Sequence, residues 1–362
     1  LMLDWPPNEQ TAEEINIPSG LPEDGGVVLG VVVNGEIDRL LRNTSRSFYL
    51  SLGVLPNQIR DQVGLLYLLA RVADTIADTG EEPSQLLSEL NKYEGVLNDG
   101  SEEVYLGNVA DLQDDPHEEE LLRSASKAVR AFAGIEQNDR NIMLRCLNTI
   151  ISGQRLDVER FGTKTTEIRS LTSDEDLDDY TYKVAGSVGE FWTEISLKRL
   201  IPDMSSKGDF ERFGVDFGKG LQMINILRDI PSDLHIGRCY IPSERLASIG
   251  LTPVDLLDES SMNAFRPLYD EYLDLSLKYL SAAHSYVSLI PRRHKGLRLS
   301  CMLPIIIGWR TIRIMRNRNV LSGMGAKIKR REIGSILLKS RIAVRFEIYE
   351  KLLMQAEKRR AC

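Results

Sequence analysis

The chain has 362 residues, with 45 Lys and Arg against 53 Asp and Glu, a net charge of −8. That length supports one large domain or two ordinary ones, and the acidic balance speaks against a nucleic-acid binder. Hydrophobic residues at 42% and charged residues at 27% match a soluble globular chain, and runs such as CMLPIIIG (301–308) fall far short of the ~20 apolar residues that span a bilayer. Residues 1–34 hold Pro6, Pro7, Pro18, Pro22 and a Gly-rich patch; without a helical period they read as a loosely ordered leader. Asp4 and Pro6-Pro7 break any early apolar run, so no signal peptide is expected. Over residues 35–362 helical patterns follow one another. They are parted by Pro56-Asn57, the turn at Gly80–Pro83, the acidic DLQDDPHEEE (111–120), Gly162-Thr163, Pro202-Asp203, Pro231 and Pro291. Strand-like alternation is nearly absent, so the expectation is one all-α domain of about ten helices. Cys146, Cys239, Cys301 and Cys362 are scattered, without C-x-x-C spacing. Reduced thiols, a cytoplasmic setting and no structural zinc follow.

Two segments carry the chemistry. In LLYLLARVADTIADTG (65–80), Arg71, Asp74 and Asp78 fall within about 40° of Tyr67 at ~100° per residue. Leu65, Leu68, Leu69, Val72 and Ile76 take the opposite half, and Leu66, Ala70, Ala73 and Ala77 flank the stripe. A surface helix has a wider polar face; this narrow one predicts a helix lining an internal cavity. Carboxylates at i and i+4 stand ~5–6 Å apart and repel unless a cation lies between them, so Asp74 and Asp78 suit a hard cation such as Mg²⁺. The segment GKGLQMINILRDIPSD (218–233) repeats the device. Asn225, Asp229 and Asp233 lie within about 60° of Gln222, on a helix otherwise built of Leu221, Ile224, Ile226 and Leu227. Pro231 is expected to end or kink this helix, leaving Asp233 less securely placed. Arg71, Arg228 and Arg238 stand beside the acidic residues and suit phosphate oxygens. Together the stripes predict a diphosphate held through bridging magnesium. DLQDDPHEEE and SDEDLDD (173–179) lack an apolar frame and read as solvated loops or helix N-termini.

The same residues resemble the squalene/phytoene synthase family of head-to-head prenyl synthases, from about Gly35 to about Ile333. TSRSF (44–48) resembles the opening segment, giving Ser45 and Phe48 roles at the diphosphate and prenyl sites. YLLARVADTIAD and QMINILRDIPSD resemble the two aspartate-rich motifs. YTYKVAGSVGEFWTEI (180–195) is similar to the Y-x-x-x-V-A-G segment, and GRCYIP (237–242) to one whose Arg238 and Tyr240 reach a diphosphate. The resemblance implies a single-domain isoprenoid-synthase helical bundle around a central cavity. It implies metal ligation by Asp74, Asp78, Asn225, Asp229 and Asp233. Tyr67, Arg71, Gln222, Arg228, Arg238 and Tyr240 would bind substrate, and Tyr180 would relay a proton to the departing diphosphate. Gly186 and Gly189, one turn apart, leave room for a prenyl chain or a neighbouring helix.

DTIAD resembles squalene synthases more than the usual phytoene synthases, and the chain as a whole is most similar to their bacterial form. NVLSGMGAKIKRREI (319–333) resembles the squalene-synthase segment that holds NADPH, with Lys327 and Lys329 the best matches and Asn225 beside them as a cofactor contact. The implied reaction takes two farnesyl diphosphates through presqualene diphosphate to squalene, with Mg²⁺ and NADPH. The alternatives are dehydrosqualene or phytoene formation without NADPH, release of presqualene diphosphate, and a non-catalytic helical member. Where eukaryotic squalene synthases carry Phe before the Cys of LSCMLP (299–304), this chain has Ser300. A head-to-tail prenyl synthase or terpene cyclase is disfavoured, because those carry D-D-x-x-D first motifs and no counterpart of Tyr180 with VAG. Peripheral contact with the inner face of a membrane would serve release of a very apolar product.

Overall fold

The computed structural model describes residues 35–361 except 45, 81, 163–166, 324 and 327; the leader, Ser45 and Lys327 therefore lie outside the described residues. The helices in chain order are α1 (Gly35–Thr44), α2 (Arg46–Gly53), α3 (Asn57–Asp78), α4 (Pro83–Asp99), α5 (Gly107–Ala110), α6 (Pro116–Arg123), α7 (Ala125–Ala133) and α8 (Gln137–Phe161). They continue with α9 (Asp174–Thr181), α10 (Ser187–Arg199), α11 (Lys207–His235), α12 (Ser243–Ser248), α13 (Met262–Leu289), α14 (Lys295–Arg316), α15 (Arg330–Ala343) and α16 (Glu347–Ala361). The all-α reading holds, with more helices than the breakers suggested because several short ones, of four to nine residues, lie between the long ones. Two-residue strands, β1 (Arg169–Ser170) and β2 (Arg238–Cys239), pair in parallel.

The long helices α3, α8, α10, α11, α13 and α14 form the frame: α11 packs along α13 and α10, α3 along α8, and α14 along α13. On α3 the expected apolar half is fully buried, with Leu65, Leu68, Leu69, Val72 and Ile76 at 0% exposure. Its flanks Leu66, Ala70, Ala73 and Ala77 are buried too, so Arg71, Asp74 and Asp78 are the stripe that the core leaves open.

Pro231 does not end α11, which runs on to His235. A proline inside a helix removes the donor for the carbonyl four residues earlier. Here that carbonyl, on Leu227, accepts instead from the Tyr269 hydroxyl at 3.1 Å, so a phenol from α13 replaces the lost N–H. Asp233 thereby keeps its helical place. After it, Gly237 adopts φ 83°, a left-handed C-terminal turn open to glycine. That turn reverses the chain into β2 and points Arg238 and Tyr240 back toward α3 and α8.

Between α9 and α10 the helix widens into a π segment, Tyr182–Gly186, a form concentrated at functional sites. It brings α10 against α11 at backbone contact: a Cβ on Gly189 would lie 1.9 Å from the Gly214 carbonyl oxygen, and one on Gly218 2.0 Å from that of Ala185. Close helix packing is thus what Gly189 serves. Gly189→Ala is expected to lose about 1–3 kcal/mol by overpacking, read as a lower melting temperature; unchanged melting would contradict this contact.

Candidate active site

Both acidic stripes open at one end of the frame, and each carboxylate stands beside an arginine. Arg71 reaches Asp74 and Glu118, each at 2.5 Å. Arg228 is bidentate to Asp229, at 2.8 and 2.5 Å. Arg238, from β2, donates to Asp78 at 2.8 Å. Gln154 of α8 donates to Asp74 at 3.0 Å. Gln222 and Asn225 lie half-buried on the same α11 segment.

The stripes face each other electrostatically. Asp233 has its carboxyl pushed well above the usual carboxylate range, first by burial and then by the charges of Asp229, Asp78 and Asp157, against the opposing pull of Arg238. Carboxylates from α3, α8 and α11 therefore share one field. Among the described residues no three His, Cys, Asp or Glu side chains converge as a ready-made metal cage. A Mg²⁺ that takes one or two carboxylates and completes its shell with phosphate oxygens and water needs no such cage. The donor set fits such an ion: every candidate offers oxygen, Asp233 sits among like charges, and the buried Asn225 Oδ1 has no hydrogen-bond partner.

Beneath the stripes is a phenol–carboxyl cluster. Tyr240 donates to Asp157 at 2.7 Å, and its ring stacks on Tyr180 at 4.7 Å between centroids. Phe161 meets Tyr240 edge-on. All of these side chains are buried. Burial pushes Asp157 up to about 7, against the Arg238 charge and the Tyr240 hydrogen bond, and its Oδ1 has no partner. Tyr180 is raised well above a free phenol by burial, then by the Asp157 charge. Asp157 thus holds a proton in the folded state that an unfolded aspartate, at about 3.9, releases. Between about pH 4 and 7 the folded state binds the extra proton, so stability falls as pH rises through that window and levels off above it. Asp157→Asn removes its own share of the slope and leaves that of Asp233. In metal-free buffer the variant should gain melting temperature on the parent chain between about pH 5 and pH 8; parallel pH profiles would refute the assignment.

Further along the helix that carries Tyr180, residues of the π segment and α10 line two apolar cavities. One is bounded among others by Ala185, Val188, Trp192, Phe217, Leu221 and Ser300. A second is lined by Phe48, Tyr67, Leu66, Ala70, Phe191 and the same Val188 and Trp192. Phe48 and Tyr67 stack at 4.4 Å, so the Tyr67 ring forms part of this apolar wall. Ser300 is buried, donating to the Leu297 carbonyl at 2.8 Å. Lys329 lies elsewhere, exposed at the N-terminus of α15.

The structure adds three residues to the sequence-derived set: Gln154, Asp157 and Glu118. Gln154 and Asp157 are buried polar positions about one turn apart on the face of α8 that also buries Ile150, Ile151, Val158 and Phe161, a stripe like that of α3 but interrupted in sequence by Arg155 and Glu159. DLQDDPHEEE contains a helix N-terminus, one of the two forms expected: Asp115 caps α6 through the His117 amide, and the capped turn carries Glu118 to Arg71, a contact the sequence did not show. SDEDLDD is indeed a helix start, with a Ser173–Asp176 capping box. The three cysteines described are free and buried.

An all-α frame with facing acid-and-arginine stripes above apolar cavities defines an isoprenoid-synthase-type protein. The chain belongs to the squalene/phytoene synthase family, whose model matches residues 41–332. It is 28% identical over 263 residues to the bifunctional lycopene cyclase/phytoene synthase of Phaeosphaeria nodorum, across 71% of this chain and 42% of that protein; the chain thus spans about half the length or less of such fungal relatives. It is 28% identical over 251 residues to the presqualene diphosphate synthase of Rhodopseudomonas palustris, across 68% of this chain and 76% of that one. In fold it matches the ligand complex of TcSQS with a TM-score of 0.73 at 19% identity, over 88% of this chain and 89% of that one. No helix among the described residues is long and apolar enough to cross a membrane.

Proposed function

We propose that this chain joins two farnesyl diphosphates head to head into presqualene diphosphate and reduces that product to squalene with NADPH. The observation that carries the first half is the buried Tyr180–Tyr240–Asp157 cluster. It is tied to the arginine–aspartate rim through Arg238, and it shares the α9–α10 helix with the walls of two adjoining apolar cavities. Two cavities meeting at Val188 and Trp192 suit two prenyl chains.

In the first step the C1–O bond of one farnesyl diphosphate breaks and the diphosphate leaves with the electron pair. Arg71, Arg228 and Arg238 take up its charge as fixed positive groups. Mg²⁺ would be held by Asp74, Asp78, Asn225, Asp229 and Asp233, and when bound it adds positive charge at the diphosphate oxygens. The double bond of the second substrate attacks the allylic cation. A carbon-bound proton is then lost as the cyclopropane closes, and Tyr180 relays it to the departed diphosphate. The apolar walls keep water from the cation. For the second half, Lys327, Lys329 and Asn225 are the residues proposed toward NADPH, which when bound supplies hydride.

A second reading stops before reduction or uses longer substrates. It is favoured by the curated relatives, which are named phytoene synthases and a presqualene diphosphate synthase. Farnesyl and geranylgeranyl diphosphates, each with Mg²⁺ and with or without NADPH, separate the two by product analysis. Squalene that requires NADPH supports the first reading. Phytoene, or products indifferent to NADPH, supports the second.

A further inference from the structure

The helical hairpin α15–α16 lies almost wholly beyond residue 332, where the family match ends. Its inner side is bolted to α14, the helix that brings Ser300 and Cys301 to the cavity wall. Arg298 and Glu350 form a buried ion pair, Arg310 grips Glu357 at 2.6 Å, and Ile336 and Met354 are buried. Its outer side is unusual for a surface. Leu338, Ile342, Phe346, Ile348, Tyr349 and Leu352 are 51–73% exposed. Leu338, Ile342 and Phe346 follow at i, i+4 and i+8, and the Phe346 ring meets Tyr349 at 5.9 Å, joining the turn to α16. The other large apolar side chains left exposed among the described residues, Tyr105, Leu112, Val254 and Leu257, belong to other segments.

Charge identifies the occupant. Residues 330–361 carry nine Lys and Arg against four Glu, in a chain whose net charge is −8. Two of those glutamates, Glu350 and Glu357, are buried against Arg298 and Arg310, so they do not offset the basic rim. Lys339 and Arg345 are exposed around the apolar stripe, while the exposed Lys351 pairs with Glu347 at 2.6 Å. An apolar stripe of this kind marks an interaction site, and its basic rim matches anionic lipid headgroups.

We propose that α15–α16 docks this protein on an anionic lipid bilayer, with Phe346 and Ile348 entering the headgroup–acyl boundary and the basic rim contacting lipid phosphates. The head-to-head reading supplies only the purpose, exchange of apolar molecules with the bilayer. The test needs no substrate, so its failure leaves that reading standing.

The test is flotation of the full chain with vesicles of phosphatidylcholine alone or mixed with phosphatidylglycerol, at low and high salt. Binding should be strongest on the mixed vesicles and weaken with salt. Phe346→Asp with Ile348→Asp should reduce it by at least about tenfold, and Lys339→Gln or Arg345→Gln by about fivefold each on the mixed vesicles. Melting curves and turnover in vesicle-free buffer should match the parent chain. The proposal is overturned if the parent chain floats with neither vesicle, or if the double-Asp chain floats as well as the parent. It is equally overturned if light scattering shows that those substitutions break up a dimer while flotation persists.

Discussion

Asp74→Asn is expected to slow ionisation of the first prenyl diphosphate by about 10²–10³-fold, the scale for removing one preorganised electrostatic contact. The substitution keeps size and hydrogen-bonding shape and removes only charge. Arg71 retains Glu118, and Gln154 keeps an oxygen to donate to, so the helix stays packed and the melting temperature should move by no more than a few degrees. What disappears is the anionic oxygen proposed for magnesium, one turn from Asp78. Diphosphate release followed with saturating substrate and Mg²⁺ checks this. A near-normal rate with an intact melt would remove the metal role from α3.

Tyr180→Phe should lower formation of the cyclopropane product by about 10²-fold, at the lower end for a positioned proton-transfer group. The phenyl ring can keep its stack on Tyr240, and the Tyr240 hydrogen bond to Asp157 is untouched. A merely structural tyrosine would show the loss as a lower melting temperature. A relay shows it as a lower rate, with substrate ionisation preserved and products diverted from cyclopropane closure. Equal rates for parent and variant would leave Tyr180 as packing alone.

Much of this site was legible before the structure because its signal is a contradiction within one helix. Asp74 and Asp78 are misplaced in a segment as apolar as 65–77 unless something polar faces them, and the same argument found Asn225 and Asp229. It stopped short at Asp157, because Arg155 and Glu159 on α8 blur the stripe with charges from the outer side. It failed at Glu118, whose placement depends on the Asp115 cap and on Arg71 arriving from another helix. Pro231 misled for a related reason. Proline rules are local, and the hydroxyl that satisfies the Leu227 carbonyl comes from Tyr269, 42 residues away in sequence. Tyr67 was assigned by angle to the polar stripe, yet its ring is claimed by Phe48. Helix periodicity assigns a face; only packing decides which part of a side chain uses it.

The central claim is head-to-head joining of two prenyl diphosphates. Its most direct test is incubation of the purified chain with farnesyl diphosphate and Mg²⁺ in the absence of NADPH, with product identification by mass spectrometry. Presqualene diphosphate, formed from two substrate molecules with release of one diphosphate and lost on chelation of Mg²⁺, is the predicted result. A head-to-tail chain-elongated diphosphate, a cyclised C15 terpene, or unchanged substrate would contradict it.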